Sequence, residues 1–270
     1  MDAAQRTTVS FFASELRRAR VAAGLSQDQL AQMISYSSSL VAMVETAQRT
    51  PSQDFTRRCD EALDTGGLLS RILEELVSHE IAPEWFRPWI SIEREATSLR
   101  SYEPLLVQGL LQTPDYVRAV FRAGGSLSDE EVEQRVTARL ERQELLSREN
   151  PPLLIAILDE GALRRPIGGP DVMHRQLLHL AKLAEQSRII VQVVPVATGA
   201  YPGLAGPFVI ASFDGSGEMV YLETPLRGHV VERAADVAAV KQRWEALRAE
   251  ALSRKQSMEL MLEVAATWMT

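Results

Sequence analysis

The side chains from which this chain could build metal or acid–base chemistry are few. Its histidines are His79, His174, His179 and His229, and its one cysteine is Cys59. His174 and His179 stand five residues apart, which on a helix is a rotation of about 500° and puts them on different sides. They make poor co-ligands. The HExxH and HxH patterns are absent, as are GxSxG, a GxGxxG after a strand and a phosphate-binding loop. These absences point to no metal, no cofactor and no catalytic residue. The remaining candidates are acids and a loop. Asp159-Glu160 follows an apolar run of strand length and reads as an acid pair at the carboxyl edge of a sheet, where sites are common. The other reading pairs these acids with Arg164 or Arg165. Glu223 ends a second such run and is either a further candidate or half of an ion pair. The segment Val196 to Pro207 carries Tyr201, Pro202, Gly203 and Gly206 between two strand-like runs and is too long for a simple hairpin. It reads as a ligand lid or partner surface, or as a long connector.

The elements that must position these residues differ between the two ends of the chain. Residues 9 to 64 read as four short helices, with Phe12, Leu16, Ala19 and Ala23 at helical spacing and a break at Gly24. Ser26 and Ser37 suit N-caps, because a hydroxyl oxygen can accept from the orphan amides of a first turn, and Pro51-Ser52 marks the fourth entry. Gly66 and Gly67 end that helix, Leu68 to Val77 predicts another, and the domain boundary falls near residue 80. Beyond it, helices are expected over Trp85 to Arg100, Thr113 to Arg122 and Ser128 to Glu149, with Thr113 as a cap before Pro114. After Pro151-Pro152 the period changes. Leu153 to Leu158, Ile189 to Val194, Phe208 to Phe213 and Met219 to Leu222 are strand candidates. Helices are predicted over Asp171 to Gln186 with Asp171 as cap, Asp236 to Leu252 and Met258 to Trp268. The expected architecture is therefore multidomain, an all-α domain over 1–80 followed by a mixed α/β domain over 81–270.

Composition limits the possibilities further. The chain has 270 residues, 46% hydrophobic and 24% charged, with 15 Gly and 13 Pro, an ordinary globular make-up that argues against a disordered or fibrous class. A single cysteine cannot form an internal disulfide. A polar N-terminus and the lack of about 18 uninterrupted apolar residues predict neither export nor a membrane span, hence a cytoplasmic protein. The net charge of −7 lowers the expectation of non-specific nucleic-acid binding. Of the 29 basic residues only Lys182, Lys241 and Lys255 are lysine, a bias that is not evidence of a partner.

The most informative stretch is Gly24-Leu25-Ser26-Gln27-Asp28-Gln29-Leu30-Ala31, then Ser37-Ser38-Ser39-Leu40-Val41-Ala42-Met43-Val44-Glu45, then Arg49-Thr50-Pro51-Ser52. A helix that lies in the major groove needs a second helix to brace it, joined by a short turn that sets their angle. This segment resembles the Xre-type, lambda-repressor-like helix-turn-helix family, without a gap from about Leu16 to Leu63. The resemblance implies that Gln27 holds a phosphate, that Ser37 caps the recognition helix, and that Arg20 and Glu45 form an internal ion pair. It implies a core of Leu16, Leu30, Ala31, Ile34, Val41, Val44 and Leu63. It also turns Ser38, Ser39, Ala42 and Met43 toward base edges, two hydroxyls beside apolar groups suited to a thymine methyl. Two departures stand out. Ser35 and Ala47 replace the usual glycines, which costs strain if either backbone needs positive φ. No Lys or Arg occurs between Arg20 and Arg49, so phosphate attraction must come from Arg17, Arg18, Arg49, Arg57 and Arg58, aided by helix N-termini.

The remainder, about residues 83 to 268, resembles the C-terminal domain of unknown function in WhiJ-like actinobacterial regulators. The resemblance is carried by Tyr102-Glu103-Pro104, Gly109 to Tyr116, Arg139 to Gln143, Val194-Pro195, Gly206-Pro207-Phe208 and Val220 to Glu223. It implies a repressor of developmental or specialised-metabolism genes, often encoded beside a small acidic partner protein. Weak half-site affinity further predicts a homodimer on a double-stranded DNA operator. The sequence thus reads as a sequence-specific transcriptional regulator, not an enzyme, whose second domain receives a small partner protein or small molecule at Asp159, Tyr201, Gly203 and Glu223. The alternative is an enzyme or toxin–antitoxin component whose helix-turn-helix serves only autoregulation.

Overall fold

A computed structural model of the chain describes residues 3–49, 51–73, 85–224 and 226–269. The chain divides into two compact units, residues 1–84 and 85–270. The boundary expected near residue 80, the end of the Leu68 to Val77 helix and His79 lie outside the described residues.

The described residues of the first unit contain helices and no strand: α1 (Ala3–Ala22), α2 (Gln27–Ile34), α3 (Ser38–Glu45), α4 (Gln53–Leu63) and a helical segment over 68–73. The starts of α2, α3 and α4 are each set by a hydroxyl. Ser26 Oγ accepts from Gln29 N while Gln29 Oε1 accepts from Ser26 N, a reciprocal capping box. Ser37 Oγ accepts from Leu40 N and Ser52 Oγ from Phe55 N. The ends are set by backbone at positive φ, Ser35 at 60°, Ala47 at 57° and Asp64 at 49°. Phe12, Leu16, Leu30, Ala31, Ile34, Val41, Val44, Phe55, Cys59 and Leu69 form one core, with Leu63 half-buried at its margin. Burial raises the Cys59 thiol to about 12, with Asp60 and Glu45 adding to the effect.

The second unit is a six-stranded sheet in the order β3-β2-β1-β4-β5-β6. The strands are β1 (Ser98–Glu103), β2 (Leu153–Asp159), β3 (Ile189–Val194), β4 (Phe208–Phe213), β5 (Ser216–Glu223) and β6 (Gly228–Val231). β1, β2 and β3 are parallel; β4 is antiparallel to β1, and β5 to β4. β1, β2, β3 and β5 therefore share a direction, and their carboxyl ends lie along one edge. Helices cover both faces. On one side Leu99, Leu154, Ala156, Leu158, Val191 and Tyr221 pack with Trp89 of α5 (Arg87–Glu95), Tyr116 of α6 (Pro114–Ala123), Leu177 of α9 (Pro170–Leu183) and Met261 of α11 (Arg254–Thr267). On the other, Tyr102, Ile155, Ile157, Phe208 and Val220 pack with Trp244 and Leu247 of α10 (Ala234–Glu250). α7 (Asp129–Gln143) rests on α6 through Val117, Val132 and Val136, and the short α8 (Glu160–Arg164) follows β2 directly.

The outer edge of β3 is closed without another strand. Leu252 N donates to Val193 O at 2.9 Å, Val193 N donates to Ser257 Oγ at 3.0 Å, and Gln192 Nε2 donates to Leu252 O at 2.8 Å. The connection from α10 to α11 thus takes up both backbone groups of Val193, which an edge strand would leave open.

Several expectations need correction. The helix expected over Trp85 to Arg100 stops at Glu95, and Ser98–Glu103 is β1, an interior strand. Its alternation is masked because Ser98, Arg100, Ser101 and Glu103 are polar; half-buried Arg100 is neutralised by Glu218 and donates to Ser212 at 3.2 Å. β6 has four residues and begins with glycine, too little to register as a period. The helix begun at Ser128 ends at Gln143, with a 3₁₀ turn over Glu144–Leu146 before Ser147. Asp171 is not a cap: the helix enters through Gly169 at φ 92° with Pro170 in the first turn. β5 is longer than Met219 to Leu222, and α11 begins earlier than Met258, where Ser253 and Gln256 make a capping box.

Candidate nucleic-acid interface and sheet-edge site

In the first unit α2, a three-residue turn and α3 form the helix pair, and Glu45 at the end of α3 locks it. Arg20 of α1 donates through Nε to Glu45 Oε1 at 2.6 Å and through Nη2 to Oε2 at 2.9 Å, while its Nη1 reaches Leu25 O at 2.6 Å. Gln27 Nε2 at the start of α2 donates to the same Oε2 at 2.8 Å. One buried carboxylate therefore ties three helices, and its hydrogen bonds push the Arg20 guanidinium above its ordinary range despite burial. Gln27, read from sequence as a phosphate holder, has its amide nitrogen engaged on this strut. Ser39 on α3 is exposed, and Ser38, Ala42 and Met43 are half-buried.

The expected phosphate-binding arginines separate into two groups. Arg18 pairs with Glu15, Arg57 with Asp54 and Glu61, and Arg58 with Asp54. Arg58 also donates to Ile34 O, the last carbonyl of α2, and lies over the Tyr36 ring. Arg17 and Arg49 are exposed and have no acidic partner among the described residues.

In the second unit the carboxyl edge of the sheet gathers Asp159, Tyr201 and Gly203. Asp159 Oδ1 accepts from Gly161 N at 2.6 Å, capping α8, and its Oδ2 accepts from the Tyr201 hydroxyl. Tyr201 in turn meets the Tyr102 hydroxyl at 2.6 Å. A Cβ at Gly203 would overlap the Tyr102 hydroxyl and the Tyr201 ring, so only glycine lets the turn over Pro202–Ala205 settle there. Burial and the bond to Asp159 raise the Tyr201 hydroxyl well above its usual range, and burial takes Tyr102 to about 12. Glu160 diverges from Asp159: it pairs with Arg164 at 2.7 Å and accepts from Val196 N at 2.9 Å. The Val196 to Pro207 loop is thus held at its start by Glu160 and at its middle by Asp159.

Glu223 belongs to a different cluster on the opposite face of the sheet. Glu103, not singled out as a site residue in the sequence, ends β1 as Glu223 ends β5. The ion pair expected of Glu223 is not formed among the described residues; Arg139 and Arg142 of α7 lie near without bonding it. Arg142 faces buried Glu93 at 2.9 Å and lies over Phe86. Arg139 lies 4.6 Å over the Phe121 ring and donates to Gln112 Oε1 at 2.8 Å. Burial, then neighbouring Glu223, raises the Glu103 carboxyl to about 8 against the pull of Arg139, while burial and Arg142 lower Arg139 to about 10. Partial burial also raises Glu223 against both arginines. Tyr221, 4% exposed, stacks on Trp89 and has no hydrogen-bond partner for its hydroxyl among the described residues. The adjoining segment 107–113 is rigidly held: Gln112, Gln143 and Gln176 donate to its carbonyls, and Tyr116 OH accepts from Val107 N.

Among the described residues no group of three His, Cys, Asp or Glu side chains is placed to hold a metal ion, and no helix is long and apolar enough to cross a membrane. His174 Nδ1 instead contacts Ala265 O at 2.8 Å.

A braced helix pair ahead of an α/β unit defines a helix-turn-helix DNA-binding regulator with a separate C-terminal domain. The helix-turn-helix domain model matches residues 12–71. A second model, described as Domain of unknown function (DUF5753), matches residues 86–263, well over half of the chain, and the chain belongs to that family. No curated protein and no solved structure matches it.

Proposed function

We propose that this protein is a sequence-specific transcriptional regulator of the Xre type that binds a double-stranded operator as a homodimer and is controlled through its C-terminal unit. The observation that carries the reading is the Glu45 strut, which fixes α2 and α3 at one angle while leaving Ser38, Ser39, Ala42 and Met43 on the outer side of α3. A rigid pair of helices with hydroxyl and apolar groups presented outward suits base-edge readout in the major groove. Arg17 and Arg49, with the N-termini of α2 and α3, supply phosphate contacts. The likeness to WhiJ-like regulators extends this to a cytoplasmic repressor of developmental or specialised-metabolism genes with a small acidic partner. The receiving surface is the carboxyl edge, where Asp159, Tyr201, Gly203 and Glu223 lie.

The test is operator selection from a random DNA pool with the full-length protein and with a Ser39→Ala, Met43→Ala double variant. Each lost good base contact costs about 1–3 kcal/mol of discrimination, so the preferred bases should change at the positions α3 reads. An unchanged operator would move the reading helix elsewhere.

A further inference from the structure

The Glu45 strut joins α2 and α3 at one end only, tying the first residue of α2 to the last of α3. At the other end the two helices meet in the turn Ser35-Tyr36-Ser37, which is held from outside. Ser35 stands at φ 60°, in the left-handed region that strains any residue with a side chain, and Ser37 at φ −83° already caps α3. Between them Tyr36 N donates to Ala31 O at 2.9 Å, and the Tyr36 side chain is held by α4 from three directions. Its hydroxyl donates to Asp54 Oδ2 at 3.0 Å, its ring meets buried Phe55 edge-on with centroids 5.3 Å apart, and the Arg58 guanidinium lies 5.9 Å over its face. Arg58 closes the circuit: Nε donates to the same Asp54 Oδ2 at 2.8 Å, and Nη1 donates at 3.3 Å to Ile34 O, the last carbonyl of α2. One carboxylate and one guanidinium of α4 therefore grip both sides of the turn. The adjacent Arg57 donates to Asp54 Oδ1 at 2.8 Å and to Glu61 at 2.6 Å, and has no bond to Tyr36 or Ile34 among the described residues.

We propose that Asp54 and Arg58 are positioning residues for operator recognition: acting through Tyr36, they aim α3 at its entrance as Glu45 aims it at its exit. The assignment rests on α3 being the reading helix and names the residues that orient it. Arg58 spends one donor on Asp54, another on a carbonyl and its face on a ring, so its orientation is fixed within the protein and its work is aim, not attraction to phosphate. Base contacts are directional, whereas phosphate attraction tolerates a shift of the charges that provide it. A small rotation of α3 therefore displaces Ser38, Ser39, Ala42 and Met43 from their bases together, while Arg17 and Arg49 still meet phosphates. Loss of the clamp appears as lost selectivity and not as lost attraction to DNA.

The experiment measures the affinity of the full-length protein, well below its melting temperature, for the selected operator and for a non-operator duplex of equal length over a range of salt. Tyr36→Phe keeps the ring and deletes only the hydroxyl that Asp54 holds. This variant, Arg58→Gln and Asp54→Ala are each expected to lower the ratio of operator to non-operator affinity about tenfold, with non-operator affinity undiminished. Arg57→Gln, the neighbouring control, should leave the ratio unchanged. An unaltered ratio in Tyr36→Phe and Arg58→Gln overturns the assignment, as does a parallel fall of both affinities, which is loss of fold alone. An operator salt slope shallower by about 1 per reading unit in Arg58→Gln also overturns it, because that arginine would then be a phosphate contact. A second readout needs no DNA: residual dipolar couplings of the α2 and α3 amides should report a different angle between the helices in Tyr36→Phe from that in the wild type. The two failures are thus distinguishable, since a wild type that selects no operator overturns the reading helix, whereas couplings unchanged by Tyr36→Phe overturn the clamp.

Discussion

Glu45 and Asp60 show how single carboxylates organise the small helical unit. Glu45 accepts from Arg20 and Gln27, so its removal leaves a buried guanidinium and an amide without their acceptor. Breaking a buried pair at one partner costs about 3–5 kcal/mol, and Glu45→Ala should lower the melting temperature of the first unit and weaken operator binding through loss of fold. A variant with the wild-type melting temperature would show that the strut is dispensable. Asp60 accepts from Leu69 N, Ser70 N and Ser70 Oγ, as well as from Thr65, and so pins the turn after α4. Burial alone would raise its carboxyl; the hydrogen bonds outweigh that and hold it below the ordinary range. A depressed folded-state value means that its stabilisation is fully present above the unfolded carboxyl's pKa and is lost as pH falls through the folded value. Urea titrations should show stability falling in acid in the wild type and a smaller acid dependence in Asp60→Asn, with a loss of about 1–3 kcal/mol at neutral pH. Equal acid sensitivity in the two proteins would remove Asp60 from that role.

At the scale of elements, the Val196 to Pro207 loop is a strap fastened at two points, and Tyr201 is its middle fastening. Tyr201→Phe keeps the ring against Tyr102 but deprives Asp159 Oδ2 of its donor. The expected result is a loss of about 1–3 kcal/mol together with faster proteolytic cleavage within 196–207; cleavage at the wild-type rate would show that packing alone holds the strap. The elements also show what could be read in advance. The hydroxyl caps Ser26, Ser37 and Ser52, and the apolar runs of β3 and β4, carry their signals locally, in a few neighbouring side chains. β1 does not: its Arg100 is tolerated inside the sheet because Glu218, far along the chain, neutralises it. Asp159, Tyr201 and Gly203 were suggested by position after a strand and by loop length, and they meet. Glu103, Arg139 and Arg142 stand in the sequence only within strings that carry the family resemblance and were not read as a site, because only the sheet order and the seating of α7 bring them together. A one-dimensional pattern holds no trace of that.

For the whole molecule the salient quantity is charge. The chain carries −7 overall, and three of the five arginines expected to meet phosphate are paired with Glu or Asp. If only Arg17 and Arg49 neutralise phosphates, the salt dependence of operator affinity should be shallow, about −2 in the slope of log K against log[salt] for each reading unit and about −4 for a dimer. A slope near −10 would show that Arg18, Arg57 and Arg58 leave their carboxylates on binding. The closed edge of β3 has a consequence of another kind, in time. Because Val193 N is satisfied by a hydroxyl on α11 and not by a strand, its exchange with solvent deuterium reports how often that helix lets go. The amides of Val193 and Leu252 should exchange together and sooner than that of Ala156 inside the sheet, and Ser257→Ala should quicken Val193 without touching Ala156. If Val193 proves as slow as Ala156, helix and sheet open as one, and the C-terminal helix is part of the same cooperative event that unfolds the strands.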